Sequence, residues 1–264
     1  MVYYALGMAV NIDSKHLPRE MMEHMYPVLR EVEETHWWYV GRRRILSEFV
    51  ADAVKDVKGR EPQILDVGCG TGGNVVMLNE HGEAYGIDVS RDAVAFCHER
   101  GLDRVELGAA DELPFEDGKF DLVTALDVVE HLDDDLGALK EFRRVLRPGG
   151  KILIFVPTFM FLWGVQDDVS HHRRRYRMPE LLKIVREAGF GVDRSTYANI
   201  TFFLPILAGR VLMRVLGIKP ASENNIGTTL NKPFAWLFGS ERFWLRHFDL
   251  PFGVSGLCVA ERKE

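Results

Sequence analysis

Residues 65 to 74 read Leu65-Asp66-Val67-Gly68-Cys69-Gly70-Thr71-Gly72-Gly73-Asn74, with four glycines packed into six positions directly behind an apolar run. The run over residues 63–67 has the length of a buried strand and residues 74–80 the pattern of a helix, so the glycines mark a tight strand-to-helix turn. Glycine lets the backbone bend sharply there and lets a ligand approach amide groups that side chains would otherwise shield. The following helix start adds unpaired N–H groups and a positive dipole, which receive a pyrophosphate or a carboxylate. Gly68, Gly70 and Gly73 satisfy the pattern G-x-G-x-x-G, by itself a weak sign of a dinucleotide. Asp66 argues against a pyrophosphate, because a carboxylate beside the pocket repels phosphate and attracts an ammonium group. Asp88 closes the next apolar run, 20 positions after Gly68, where an acid accepts both hydroxyls of a ribose.

The turn opens a longer rhythm. Apolar runs at 84–88, 104–107, 120–126 and 151–156 alternate with helical patterns at 91–100 and 133–146. Ser90 is a good N-cap for the first of these helices. The second carries acids at its start and arginines at its end, as the helix dipole favours, and Pro148-Gly149-Gly150 stops it. Alternation at this pitch predicts a parallel sheet covered on both faces. Residues 157–177 then read as a long loop rich in aromatic, His and Arg residues, 179–188 as a helix ending at Gly189, and 191–197 as a sixth strand. An apolar and aromatic insertion fills 198–250, and 253–260 is a last strand. Ahead of the turn, residues 16–40 are helical in character, interrupted by Pro27, and end in His36-Trp37-Trp38-Tyr39. In residues 42–57, Ile45, Leu46, Phe49, Val50, Ala53, Val54 and Val57 form one apolar stripe at helical period.

A chain of 264 residues buries a full three-layer core. Its net charge of −6 gives no general attraction to nucleic acid, and the basic clusters at 42–44 and 173–175 are too short to reverse that. Cys69, Cys97 and Cys258 are far apart and without metal-ligand spacing, which fits a reducing, cytoplasmic setting. The first residues lack the basic start and apolar core of a signal peptide. The uncharged run at 195–209 is broken by Pro205 and falls short of the ~20 residues a membrane span needs, which leaves only peripheral membrane contact open.

Four segments in order, LDVGCGTGG, GID ending at Asp88, LPFEDGKFDLVTALDVVEHL and RVLRPGG, resemble those of the class I S-adenosylmethionine (SAM)-dependent methyltransferases over about residues 60–160. His36-Trp37-Trp38, Arg42-Arg43-Arg44, the stretch from His172 to Tyr176, Ala188-Gly189-Phe190 and Pro251-Phe252-Gly253-Val254-Ser255 resemble a bacterial and archaeal small-molecule subgroup. The resemblance implies a Rossmann-like, doubly wound, mostly parallel seven-stranded α/β sheet with an antiparallel last strand, N-terminal helices and an insertion before that strand. A helical lid would occupy 1–60, the SAM-binding core 61–197, a substrate cap or interface 198–250, and the last strand 251–264. It also implies that Asp66, Gly68, Cys69, Gly70 and Gly72 surround the methionine part of SAM, and Asp88 and Val89 the ribose. The family's adenine-binding Asp is replaced by Ala109 here, so Ala110 and Asp111 are the adenine candidates. Leu126 and Asp127 would lie beside the cofactor, and Arg42 either meets the SAM carboxylate or sits on a solvated helix face.

Methyl transfer needs an acceptor aligned within ~3–3.5 Å of the methyl group, with water excluded, and a histidine suits any proton that must leave. His131, five residues past the fourth strand, and His172, in the loop after the fifth, are the catalytic candidates. Trp163, His171 and Tyr176 in the same loop are the substrate-binding candidates. The His171-His172 pair raises the question of a divalent ion, but no ligand spacing supports one and none is expected. Phe202, Phe203, Leu204, Ile206, Leu207, Phe234, Trp236 and Phe238 make the insertion fit to cover an apolar or lipid-like small molecule, or to serve as a homodimer or membrane-facing patch. Two other readings share the fold: an NAD-dependent oxidoreductase and a SAM-binding protein without catalysis. Nucleic-acid methylation is disfavoured, because Leu126-Asp127-Val128-Val129 stands where an Asn/Asp-Pro-Pro-aromatic motif would be.

Overall fold

The computed structural model describes residues 25–217 and 228–263, so the helical reading of residues 16–24 and the 218–227 part of the insertion lie outside the described residues. Two helices come first, α1 (Met25–Val32) and α2 (Trp37–Val54). They are followed by β1 (Gln63–Val67), α3 (Gly73–Leu78), β2 (Glu83–Asp88), α4 (Arg91–Glu99), β3 (Val105–Leu107), β4 (Phe120–Leu126), α5 (Asp135–Val145) and β5 (Leu146–Pro157). Then come α6 (Val165–Val169), α7 (Met178–Glu187), β6 (Phe190–Ala198), α8 (Phe203–Leu216), α9 (Thr228–Gly239), α10 (Glu241–Leu245) and β7 (Ser255–Arg262). The seven strands form one sheet in the order β3-β2-β1-β4-β5-β7-β6. The first five run parallel, and β7 lies antiparallel between β5 and β6. This is the expected Rossmann-like sheet with its reversed last strand.

Side chains alternate across each strand and so feed two cores. Leu65, Val123, Ile152 and Ile154 pack with Leu139, Phe142, Leu181 and Val185 from α5 and α7 on one face. Ile64, Leu122, Leu153 and Phe155 pack with Ile45, Leu46, Phe49 and Val50 from α2 on the other. Each fully buried Leu, Ile or Phe contributes about 1.5–3 kcal/mol. All seven residues of β4 are buried, as a central strand covered on both sides requires.

Local chemistry sets the helix ends. Ser90 caps α4 by accepting from the Ala93 amide at 3.4 Å, and Asp134 caps α5 by accepting from the Gly137 amide at 2.8 Å. Pro27 does not interrupt α1, which runs through it from Met25 to Val32 among the described residues. The Pro148-Gly149-Gly150 stop needs correction. The helix ends at Val145, Leu146 already pairs with Phe120 in β5, and the Pro-Gly-Gly stretch loops out before Lys151 pairs with Leu122. Proline gives the ladder no donor, so the strand bulges there.

The described part of the insertion between β6 and β7 is largely helical, and α9 and α10 pack against α2. Phe238 of α9 is fully buried, and a Cβ added at Gly41 of α2 would meet its ring at 2.6 Å, so glycine is what lets the two helices approach. The insertion's apolar residues divide by role: Phe203 and Phe238 are buried, whereas Leu204 and Trp236 face outward. Among the described residues, no helix is long and apolar enough to cross a membrane.

Candidate active site

Helices leave β1 and β4 toward opposite faces of the sheet, and a crevice opens beyond the carboxyl ends of these neighbouring strands. A cavity of about 640 Å³ occupies it, within the range of small-ligand sites. Gly68, Cys69, Gly70, Asp88, Val89, Ala110, Leu126, Asp127 and Arg42 all line it, as expected of cofactor residues. The glycine turn is closed on itself. The Gly68 and Cys69 amides donate to the Ile87 carbonyl at 2.8 and 3.0 Å, Gly70 donates to Asp88 at 2.8 Å, and Gly72 to the Cys69 carbonyl at 3.1 Å. These amides are therefore not the open donors that the glycine pattern suggests; the glycines shape the floor, and the carboxylate of Asp88 holds it. The other Asp88 oxygen accepts from the Ser90 amide at 2.9 Å, and a carboxylate takes more than two donors.

Three cofactor candidates lie elsewhere. Asp66 is completely buried behind the turn, where it accepts from Thr124 Oγ1 at 2.6 Å, and it does not line the cavity. Burial pushes its carboxyl up to about 7, against the pull of the Thr124 hydroxyl. At Gly72 (φ +89°) an added Cβ would meet Leu102 at 2.6 Å and the Cys97 sulfur at 2.9 Å, so this glycine faces α4 and not the ligand. Asp111 is exposed and off the cavity, which leaves Ala110 as the adenine-side candidate. The solvated-face alternative for Arg42 also falls. Its side chain is buried, ion-paired with Asp127, 3.2 Å from Asn74 Oδ1, and its guanidinium lies 4.5 Å from the centre of the Trp38 ring. Asp127 adopts a positive φ of 61° as it leaves β4, a conformation that Asp tolerates better than most residues.

Sequence reasoning missed Glu33. From just past α1 it reaches the cavity, accepts from Thr71 Oγ1 at 2.5 Å and pairs with Arg100 of the α4 cap. Nothing local marks it, since these partners lie 38 and 67 positions away.

The far end of the cavity is polar and buried. His131 and His172 both line it, with ring centres 4.7 Å apart. His172 Nδ1 lies 2.8 Å from Asp167 Oδ1, and Arg175 grips both oxygens of Asp167 at 2.7 and 2.9 Å. Burial opposes the charge on Asp167, but these two partners hold its carboxyl well below the usual range. Burial, with help from the nearby His172, depresses the His131 imidazole to about 3, so it is neutral at physiological pH. Burial also drives the Glu130 carboxyl well above its ordinary value.

The three substrate-binding candidates turn away. Trp163 donates from Nε1 to Asp168 at 2.9 Å, His171 is exposed, and the Tyr176 hydroxyl is spent on Asp135 at 2.7 Å inside the core. In their place Gln166, Asp167, Ser170 and Arg175 of the same loop reach the cavity. Its cover comes from Trp37 and Trp38 on one side and from Ile206, Arg210 and Met213 of α8 on the other. Trp37 is wedged among Phe202, Phe234 and Phe238, which ties the two covers together.

A family model described as a methyltransferase domain matches residues 65–154, the stretch that carries the glycine turn, Asp88 and Asp127. An uncharacterised methyltransferase of Bacillus subtilis is 30% identical over 184 residues, spanning 65% of this chain and 72% of its own length. A demethylmenaquinone methyltransferase of Bacillus cytotoxicus is 40% identical over 206 residues, spanning 64% of this chain and 83% of its own. In fold, the chain is similar to the methyltransferase-like partner in a complex with the Haloferax volcanii Trm112 methyltransferase activator. The TM-score is 0.60 at 19% identity, over 92% of this chain and 96% of that one.

Proposed function

Because this chain belongs to the class I SAM-dependent methyltransferases, we propose that it methylates a small molecule with an apolar body, bound at the end of the cavity walled by His131 and His172. SAM supplies a methyl group on a sulfonium, so the C–S bond breaks with its electron pair left on sulfur as the acceptor atom takes the methyl. The residues present fit that cofactor: a glycine floor without side chains, Asp88 at the rim for a ribose, and Ala110 and Leu126 for the base. The observation that carries the proposal is the continuity of the cavity. Besides these cofactor residues the same space is lined by Ile206, Met213 and Val254, apolar walls in one cavity with the polar end that holds the two histidines.

The chain's own part is to align the two reactants and keep water out. Trp37, Trp38 and α8 cover the site, which supports reading the N-terminal helices and the insertion as lid and cap. His131 and His172 act on the acceptor; the neutral His131 ring offers a lone pair rather than a proton. One relative's name refers to demethylmenaquinone, which supports an apolar acceptor. The outer face of α8 exposes Leu204, Leu212 and Val215, a surface suited to the membrane boundary from which a lipid-like acceptor would come. The acidic net charge supports the exclusion of nucleic acid.

Methyl-labelled SAM incubated with the protein and a fractionated cell extract tests the proposal. The label is expected in a small-molecule fraction, and His131→Ala is expected to cut transfer far more than affinity for S-adenosylhomocysteine (SAH). Saturable SAH binding with no label leaving the cofactor in any fraction would mean a binding protein without catalysis. Equal losses of transfer and affinity in the variant would move His131 to the cofactor side.

A further inference from the structure

Glu130 follows β4 in a single 3-10 turn (Val129–His131), completely buried, and neither of its carboxylate oxygens has a hydrogen-bond partner. A carboxyl in such surroundings stays ionised only when a cation or a metal compensates it, and otherwise holds its proton. The neighbouring guanidinium groups are engaged elsewhere: Arg42 with Asp127, Arg175 with Asp167 at 2.7 and 2.9 Å, and Arg210 with Asp167 at 3.3 Å. What faces Glu130 is imidazole. His172 Nε2 lies 3.8 Å from Glu130 Oε1, too far for a hydrogen bond, and the His131 ring stands edge-on to His172.

The other nitrogen of His172 fixes its tautomer. Nδ1 sits 2.8 Å from a carboxylate oxygen of Asp167, which only accepts, so Nδ1 carries a proton and Nε2, on the Glu130 side, is the nitrogen left to ligate a cation. A carboxylate behind an imidazole in this way is how proteins orient a histidine that ligates a metal. Donor atoms of Glu130, His131 and His172 all lie within 4.8 Å of one another.

We propose that Glu130, His131 and His172 bind a divalent first-row transition-metal cation at the acceptor end of the cavity. Ligand bonds of about 2.0–2.2 Å let one ion bridge donor atoms up to roughly 4.2 Å apart. The 3.8 Å gap between Glu130 and His172 is within that reach, and a modest turn of the His131 ring closes the rest. Two imidazoles with one carboxylate favour manganese, iron, cobalt, nickel or zinc over magnesium or calcium, which prefer all-oxygen sites. His131 and His172 line the cavity and Glu130 closes the site from behind, so the open coordination positions face the acceptor. An ion there supplies Lewis-acid charge, which selects an acceptor that presents oxygen. That selection rests on the function proposed above; the binding of the ion does not. The two histidines adjacent in sequence are not the two that the fold brings together, since His171 is exposed and His172 meets His131, 41 positions before it.

The test is calorimetric titration of the EDTA-stripped full chain with Mn²⁺ and with Zn²⁺, each followed by SAH. One ion per chain is expected for at least one metal, and Glu130→Gln, which keeps the side-chain shape, should weaken binding at least tenfold. His172→Gln is the second variant and should do the same, while SAH affinity in both stays within about twofold of the parent. Absence of stoichiometric uptake of either metal by the parent protein overturns the proposal, as does binding of equal strength in both variants. If the metal result holds but no sample binds SAH, the cofactor reading fails and the metal site stands.

Discussion

Asp66 and Asp88 end neighbouring strands, yet one is sealed beneath the turn and the other stands at the cavity rim. Sequence reading places an acid at each strand end but not the direction in which it points. That direction follows from pairing with β4, which sets Asp66 opposite Thr124. The consequence is electrostatic. Burial raises the Asp66 carboxyl from an ordinary 3.8 to about 7, so between these values the folded chain holds a proton that the unfolded chain has released. Its contribution to stability is complete below the unfolded value and is lost as pH rises through the folded one. Asp66→Asn has no such proton to lose. Thermal melts of the ligand-free proteins at about pH 5 and pH 8 should therefore shift in favour of the variant at the higher pH, by at least ~2 °C. Parallel melting curves at the two pH values would show that Asp66 ionises normally in the fold.

Elements with a strong period were legible and their meeting points were not. The strand-helix alternation from β1 to β5 shows in the sequence because burial on both faces leaves continuous apolar runs between amphipathic helices. The bulge in β5 escaped, because Pro148-Gly149-Gly150 ends a helix and loops out of a strand with the same residues. The 157–177 loop escaped for a further reason. Its side chains are aimed by partners that no period marks, as when Tyr176 turns inward to Asp135, 41 positions away, and Asp167 is gripped by Arg175 from within the loop. Trp163, His171 and Tyr176 were plausible by residue type, and their side chains turn away from the cavity. The union of α2 with α9 was likewise invisible, since only the fold brings Gly41 under Phe238. That union carries much of the cover's stability. Phe238→Ala should cost about 3–5 kcal/mol in chemical denaturation, as truncation of a fully buried aromatic does, and should loosen SAH binding through the lid. A loss below about 1 kcal/mol would show that the two helices do not hold each other.

At the scale of the whole molecule, three parts of the chain far apart in sequence enclose one space. The glycine turn and Asp88 form one end, the N-terminal helices and α8 the cover, and the buried cluster around Asp167 and His172 the other end. The sheet end where β1 and β4 part is the fixed point around which these meet, and a donor nucleoside at that point is the claim on which the acceptor, the lid and the chemistry depend. Calorimetric titration of the full chain with SAH tests it most directly, with Asp88→Ala measured beside it. One molecule per chain is expected, with binding at least tenfold weaker in the variant, ~1.4 kcal/mol, because the carboxylate proposed to meet the ribose also fixes the Gly70 and Ser90 amides. No saturable binding, or equal affinity in the two proteins, would contradict it.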